Sequence, residues 1–245
     1  MSGYLRLSRT HSYSLALAVP LLLLYEAGAV WVARTSDVPL RNGADVLLRT
    51  LLAAGGVQTT LALTALLLLV VLALVVSERR RAPAPLRGGV FVGMLAESAV
   101  YALLFGVVVG TATQWVMQGI GAPLSADGGM MARVPLAQGI VLSLGAGIYE
   151  ELLFRVLLAG GLFVLFTQGG LPRVRSGVFA ALLSALAFSA FHYLGPYGDP
   201  WALSSFTFRF LAGLAFSALF LLRGFGIAAW THALYDVFLL LALQR

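Results

Sequence analysis

The sequence predicts an all-α protein: a polytopic transmembrane bundle of about seven spanning helices, with one interfacial amphipathic helix beside them. Three observations carry this. Of 245 residues, 60% are hydrophobic and 11% charged, whereas a soluble domain carries about a quarter charged residues. The mean hydropathy is +0.93. The apolar residues fall in runs of the length a bilayer demands, roughly 20 for a helix, without strand-like alternation. A membrane leaves the backbone no partner but its own helix, so the runs are helices. A soluble cytosolic enzyme, a disordered regulator and a nucleic-acid binder are excluded.

The first run, about Ser12 to Ala33, holds Glu26. It is read as a retained helix rather than a signal peptide, because the residues after it stay apolar. Arg41 to Gly56 sets Arg41, Asp45 and Arg49 four apart among leucines, which suits an interfacial helix better than a span. The second run, Gln58 to Val76, ends at Glu78 and the arginines Arg79, Arg80 and Arg81. Ala82-Pro83-Ala84-Pro85 then breaks the helix. Gly89 to about Met117 is the third run and holds Glu97; Gly121 through Gly129 is another break. The fourth lies within Pro135 to Phe166 and is closed by Gly169-Gly170-Leu171-Pro172. Gly177 to Leu194 is the fifth, followed by the turn from Gly195 to Pro200. Ser204 to Leu222, with Arg209 inside it, is the sixth, and Gly226 to Leu243 the seventh. Ala180, Ser184, Ala187 and Ala190 give the fifth helix a face for close packing. Trp31, Trp115, Tyr193, Tyr197 and Trp201 read as interfacial anchors. No repeat or linker divides the chain, so a single membrane domain, 1–245, is expected, with its motif-bearing core at about 135–243.

All 16 basic residues are arginine, the net charge is +6, and there is no cysteine. Disulfides, thiol nucleophiles and cysteine-bound metals are therefore excluded. With the N-terminus inside, nine arginines fall in inner segments and five (Arg34, Arg41, Arg49, Arg133 and Arg245) in outer ones. That asymmetry predicts an N-in, multi-pass protein of the cell (cytoplasmic) membrane.

Ionisable groups inside spans cost roughly 2.5–3.5 kcal/mol each on insertion scales and mark function by default. Here they concentrate on three helices: Glu150, Glu151 and Arg155 on the fourth, His192 on the fifth, His232 and Asp236 on the seventh. Glu151 and Arg155 are i,i+4 with the acid first, the better order for an ion pair. Glu150 is turned about 100° away, with Phe154 where a cation would pair with it. An unpaired buried carboxylate holds its proton more tightly, the poise of a general base. His232 and Asp236 share a face, so Asp236 is expected to take one ring nitrogen and leave the other for chemistry. His192 needs a partner from another helix. Glu26 and Glu97 are expected to pair inside the bundle or line an access path, as is Arg209, which is also a candidate for holding a substrate carboxylate. His11 is expected at the surface. Depth estimates put Glu150 and His192 near the outer face and His232 nearer the inside, about 10 Å apart at 1.5 Å per residue; they converge if helices are tilted or offset, or if the site lies at mid-depth.

Glu-Glu-x-x-x-Arg, Phe-x-x-x-His and His-x-x-x-Asp, in this order on three apolar helices, resemble the three motifs of the CPBP family of intramembrane proteases. That family includes the type II CAAX prenyl endopeptidases. The resemblance implies an intramembrane endopeptidase acting on a membrane-anchored protein or peptide, with no nucleic-acid partner. It makes Glu150 the general base that activates water with His192, Glu151 and Arg155 a supporting pair, and His232 the stabiliser of the oxyanion. Phe188 packs beside the site. The prenyl endopeptidases resembling this chain have Asn where it has Asp236. An ionised carboxylate would repel an oxyanion, so Asp236 is expected to act through His232. Metal-free hydrolysis is favoured. Two histidines and a glutamate also suffice for zinc, at Glu150, His192 and His232, and that stands as the alternative. Bacteriocin leaders or C-terminal sorting anchors are expected as substrates rather than prenylated proteins. The rival reading from the residues alone is a non-hydrolytic immunity factor or proton-coupled transporter with the same groups as a relay; a catalytically dead relative is a third.

Overall fold

The computed structural model describes residues 3–36, 40–57, 61–81, 86–124, 134–195 and 198–244. Gln58, the break at 82–85, the glycines at 128 and 129, Arg133, Tyr197 and Arg245 lie outside the described residues. Among the described residues all regular structure is helical. The short α1 (Gly3–Ser8) leads into α2 (His11–Thr35), α3 (Gly43–Ala54), α4 (Ala62–Arg81) and α5 (Gly88–Gly119). The fourth expected span is one helical run. It passes from α6 (Leu136–Gly145) through two π-helical turns (Ala146–Glu150 and Leu152–Ala159) into α7 (Gly160–Gln168). α8 (Arg173–Phe191), α9 (Leu203–Arg223) and α10 (Phe225–Leu243) complete the chain. Six of these helices, α2, α4, α5, α8, α9 and α10, are long and apolar enough to cross a membrane. The fourth expected span corresponds to the run 136–168, so six candidate spans and this run are consistent with about seven. The protein is an integral, multi-pass membrane protein.

α10 is the axis of the bundle, packed against α2, α5, α6, α9 and the first π turn. α4 lies on the rim against α2 and α3, which leaves Leu66, Leu69, Leu72 and Leu74 exposed. Small residues let the backbones close in, as expected where lipid and side chain are equally apolar. A Cβ on Gly147 would stand 2.4 Å from the Ala229 carbonyl oxygen, and one on Gly226 would stand 2.1 Å from that of Ser14. Gly224, at φ +84°, turns the chain from α9 into α10 in a single residue, a conformation that glycine adopts without steric penalty. On α8 the packed face is Ala180, Ser184, Ala185 and Phe188, and Ser184 donates to the Phe154 carbonyl at 2.5 Å. Ala190, expected on that face, is exposed, because the contact follows the ridge through Ala185 against Gly213 instead.

α3 forms where expected, with Asn42 as its N-cap and Asp45 in its first turn, both favourable there. Its polar face points inward rather than out to water. The Arg41–Asp45–Arg49 stripe turns inward, with Asp45 fully buried, while Val46, Leu47 and Leu51 face out. The cause is Glu26, buried on α2, which accepts from Arg49 at 2.6 Å and Arg41 at 3.3 Å. Both arginines also hold Asp45, at 2.5 and 2.7 Å. Glu97 is likewise paired, with Arg223 at 2.5 Å and with Tyr4 and Tyr101. Partial burial and the bond to Glu97 push the Tyr4 phenol up to about 12.

Candidate active site

Two adjacent carboxylates can both face inward because the helix around them is wound widely. In an α-helix neighbours diverge by about 100°; π winding, i to i+5, opens the turn and narrows that angle. Glu150 and Glu151 are both buried, on the side of the run that faces α10. This is a local feature that regular periodicity does not reveal.

The two carboxylates meet opposite edges of one imidazole. His232 Nδ1 lies 2.8 Å from Glu151 Oε1. Since a carboxylate only accepts, Nδ1 carries the proton and donates it. Nε2 of the same ring lies 4.0 Å from Glu150 Oε2 and 3.7 Å from Asp236 Oδ2. The ring is stacked on Phe216 at 4.4 Å, with Phe188 at 6.0 Å. His192 is fixed in the same manner from another helix. Its Nδ1 donates to the Phe188 carbonyl at 2.8 Å, leaving Nε2 3.9 Å from Glu150 Oε2. Three atoms, one oxygen and two imidazole nitrogens, thus converge at separations too long for direct hydrogen bonds and suited to one bridging water. Glu150 Oε2 has no hydrogen-bond partner among the described residues. His192 is the most open of the three side chains, 26% exposed against 8% for Glu150 and 5% for His232.

Behind this group, Arg155 is almost fully buried, in ion-pair contact with Glu151 at 3.3 Å. Its guanidinium lies over the Phe188 ring at 4.5 Å and the Phe216 ring at 5.3 Å. Phe188 therefore sits between the buried cation and the two imidazoles.

Two expectations change and one holds. Asp236 does not take the ring proton of His232. Glu151 does, and Asp236, at 3.7 Å, stands by the other nitrogen without a hydrogen bond. Arg209 pairs within the bundle as expected, with Asp199, and lies 5.2 Å over the Tyr193 ring. Its buried Nη1 lacks a hydrogen-bond partner among the described residues. The difference in depth disappears for two reasons. The fourth run begins at Leu136, so Glu150 is well inside it rather than near its start. The His192 ring folds back along α8 to the carbonyl four residues earlier.

Asn42 is the contact that the sequence did not signal. Its Nδ2 donates to Glu150 Oε1 at 2.8 Å across 108 residues of chain. An Asn-Gly pair ahead of Asp45 is legible as a helix start, but nothing local connects it with Glu150. Among the described residues, no group of three or more histidine, aspartate and glutamate side chains is arranged to hold a metal ion.

Residues 132–238, somewhat under half of the chain, match the family model described as Rce1-like, type II CAAX prenyl endopeptidase. The match supports the CPBP/CAAX protease-like family and, in general terms, an intramembrane CAAX-type protease. It spans Glu150, Glu151, Arg155, His192, His232 and Asp236, and it leaves out α3 and Asn42. No curated protein and no solved structure matches the chain.

Proposed function

We propose, from the premise that residues 132–238 carry a CPBP/CAAX protease-like segment, that the protein is a metal-free intramembrane endopeptidase cutting a membrane-anchored protein substrate. The observation that carries this is the convergence of Glu150 Oε2, His192 Nε2 and His232 Nε2 within 4.0 Å of the carboxylate oxygen. Water held between Glu150 and His192 loses a proton to Glu150 as its oxygen attacks the scissile carbonyl. The oxyanion that forms meets His232. With Glu151 accepting at Nδ1, this ring as imidazolium donates from Nε2. Asp236, beside that nitrogen, supports the cation. Glu150 then returns the proton to the leaving amine, and the peptide bond is replaced by a carboxyl and an amino terminus.

The substrate class that fits is a peptide leader or C-terminal anchor emerging beside His192. The test compares membrane-protein termini in cells carrying the wild type and Glu150→Gln. Termini that shift only with the intact glutamate identify the substrate. The purified protein should then cut a peptide from that region equally well with and without 1,10-phenanthroline. Loss of cleavage to the chelator, restored by zinc, would establish the metalloenzyme alternative. Unchanged termini together with lost proton-coupled flux in Glu150→Gln would establish the transport reading.

A further inference from the structure

Resting on the hydrolytic reading above, we infer that Asn42 is a positioning residue for Glu150, which makes α3 part of the catalytic apparatus although it lies outside the matched segment. The carboxamide of Asn42 works at both ends. Oδ1 accepts from the Ala44 N–H at 2.9 Å and caps α3. That bond settles which end of the group is the amine, and the amine donates to Glu150 Oε1 at 2.8 Å. A carboxylate held by one oxygen presents the other in a fixed direction. Here that other oxygen is the one facing His192 and His232.

The cap itself is held from several sides. The Asn42 N–H donates to the Tyr25 hydroxyl at 3.2 Å, and that hydroxyl donates to Asp45 at 2.7 Å. Gly43 meets Phe191, the residue before His192, so closely that a Cβ would stand 3.2 Å from the ring. On the far side Tyr149, the residue before Glu150, donates to Glu26 at 2.7 Å, the same carboxylate that anchors Arg49. The ionic face of α3 thus ties the donor and its acceptor to one scaffold. The inward charges of α3 serve to hold Asn42 against Glu150.

Capping and donation can be separated. Asn42→Ser keeps a good cap and removes the amide donor without setting a second carboxylate against Glu150; Asn42→Gln keeps an amide and loses the preferred cap length. Both are reconstituted in vesicles with the peptide that identifies the Glu150-dependent cleavage. Asn42→Ser should keep its melting temperature within about 2 °C while kcat falls about 100-fold with KM unchanged, the scale of a small misplacement of a catalytic group. Asn42→Gln should lose melting temperature yet retain more kcat than Asn42→Ser. Should Asn42→Ser not fold, Asn42→Thr, also a cap without an amide, is held to the same expectation. A kcat loss under about tenfold, a loss in KM instead, or activity that follows melting temperature across the variants would overturn the inference and make Asn42 a cap alone. If wild type and Glu150→Gln are equally active or equally inert, the hydrolytic reading itself fails, and this inference with it.

Discussion

Gly147→Ala would wedge apart the two helices that carry the carboxylates and His232. The added Cβ would meet the Ala229 carbonyl at 2.4 Å, the Ala233 Cβ at 2.7 Å and the Ala233 nitrogen at 3.0 Å. Backbone cannot swing aside like a side chain, so α10 and the fourth run must separate. Bringing the carbonyl contact from 2.4 Å to the 3.0 Å that real Cβ atoms need takes about 0.6 Å. His232 adjoins Ala233, and Glu151 is one helical turn from Gly147, so much of that shift falls on their 2.8 Å hydrogen bond. Overpacking of this kind costs about 1–3 kcal/mol, against about 1 kcal/mol gained from replacing helical glycine by alanine. The expected result is a lower melting temperature in detergent and cleavage reduced by up to about 100-fold. Gly161→Ala, where a Cβ meets nothing within 4 Å, is the control and should be neutral or stabilising. Wild-type melting and cleavage in Gly147→Ala would refute the close approach of α10 to the fourth run.

Arg155→Met should be strongly destabilising, by about 3–5 kcal/mol, because it leaves Glu151 without its buried cation; thermal unfolding in detergent reads this, and a loss under about 1 kcal/mol would show that Glu151 is held by His232 alone. Asp236→Asn should keep both fold and cleavage to within about tenfold, since Glu151 rather than Asp236 bonds the His232 ring. A drop of several orders of magnitude in kcat would assign Asp236 a direct part.

The spans and the three motifs were legible because both are local. Twenty apolar residues are a helix in lipid wherever they stand, and Glu150, His192 and His232 have few other reasons to be buried. What sequence could not give was the direction of faces. Arg41, Asp45 and Arg49 define a polar stripe, but periodicity does not say whether the stripe meets headgroups or Glu26. The i,i+4 spacing of His232 and Asp236 promised a bond that tertiary contact with Glu151 replaced. The wide winding at Ala146–Glu150 and Leu152–Ala159 leaves no mark on periodicity, and a span of about 20 residues counted back from Phe166 sets Glu150 too near its start because the run begins at Leu136. Asn42 stayed hidden because its partner lies in a distant helix.

The inverted layout of α3 has a practical side. With its ionic face turned inward and Leu47 and Leu51 outward, the helix offers an apolar surface that lipid or detergent has to cover. A micelle too thin or too loose to cover that outer surface would release α3 first, while the long helices stayed assembled. Hydrolysis would then vanish from a preparation that still looked folded, and the choice of solubilising lipid would decide whether this protein seems to be an enzyme at all.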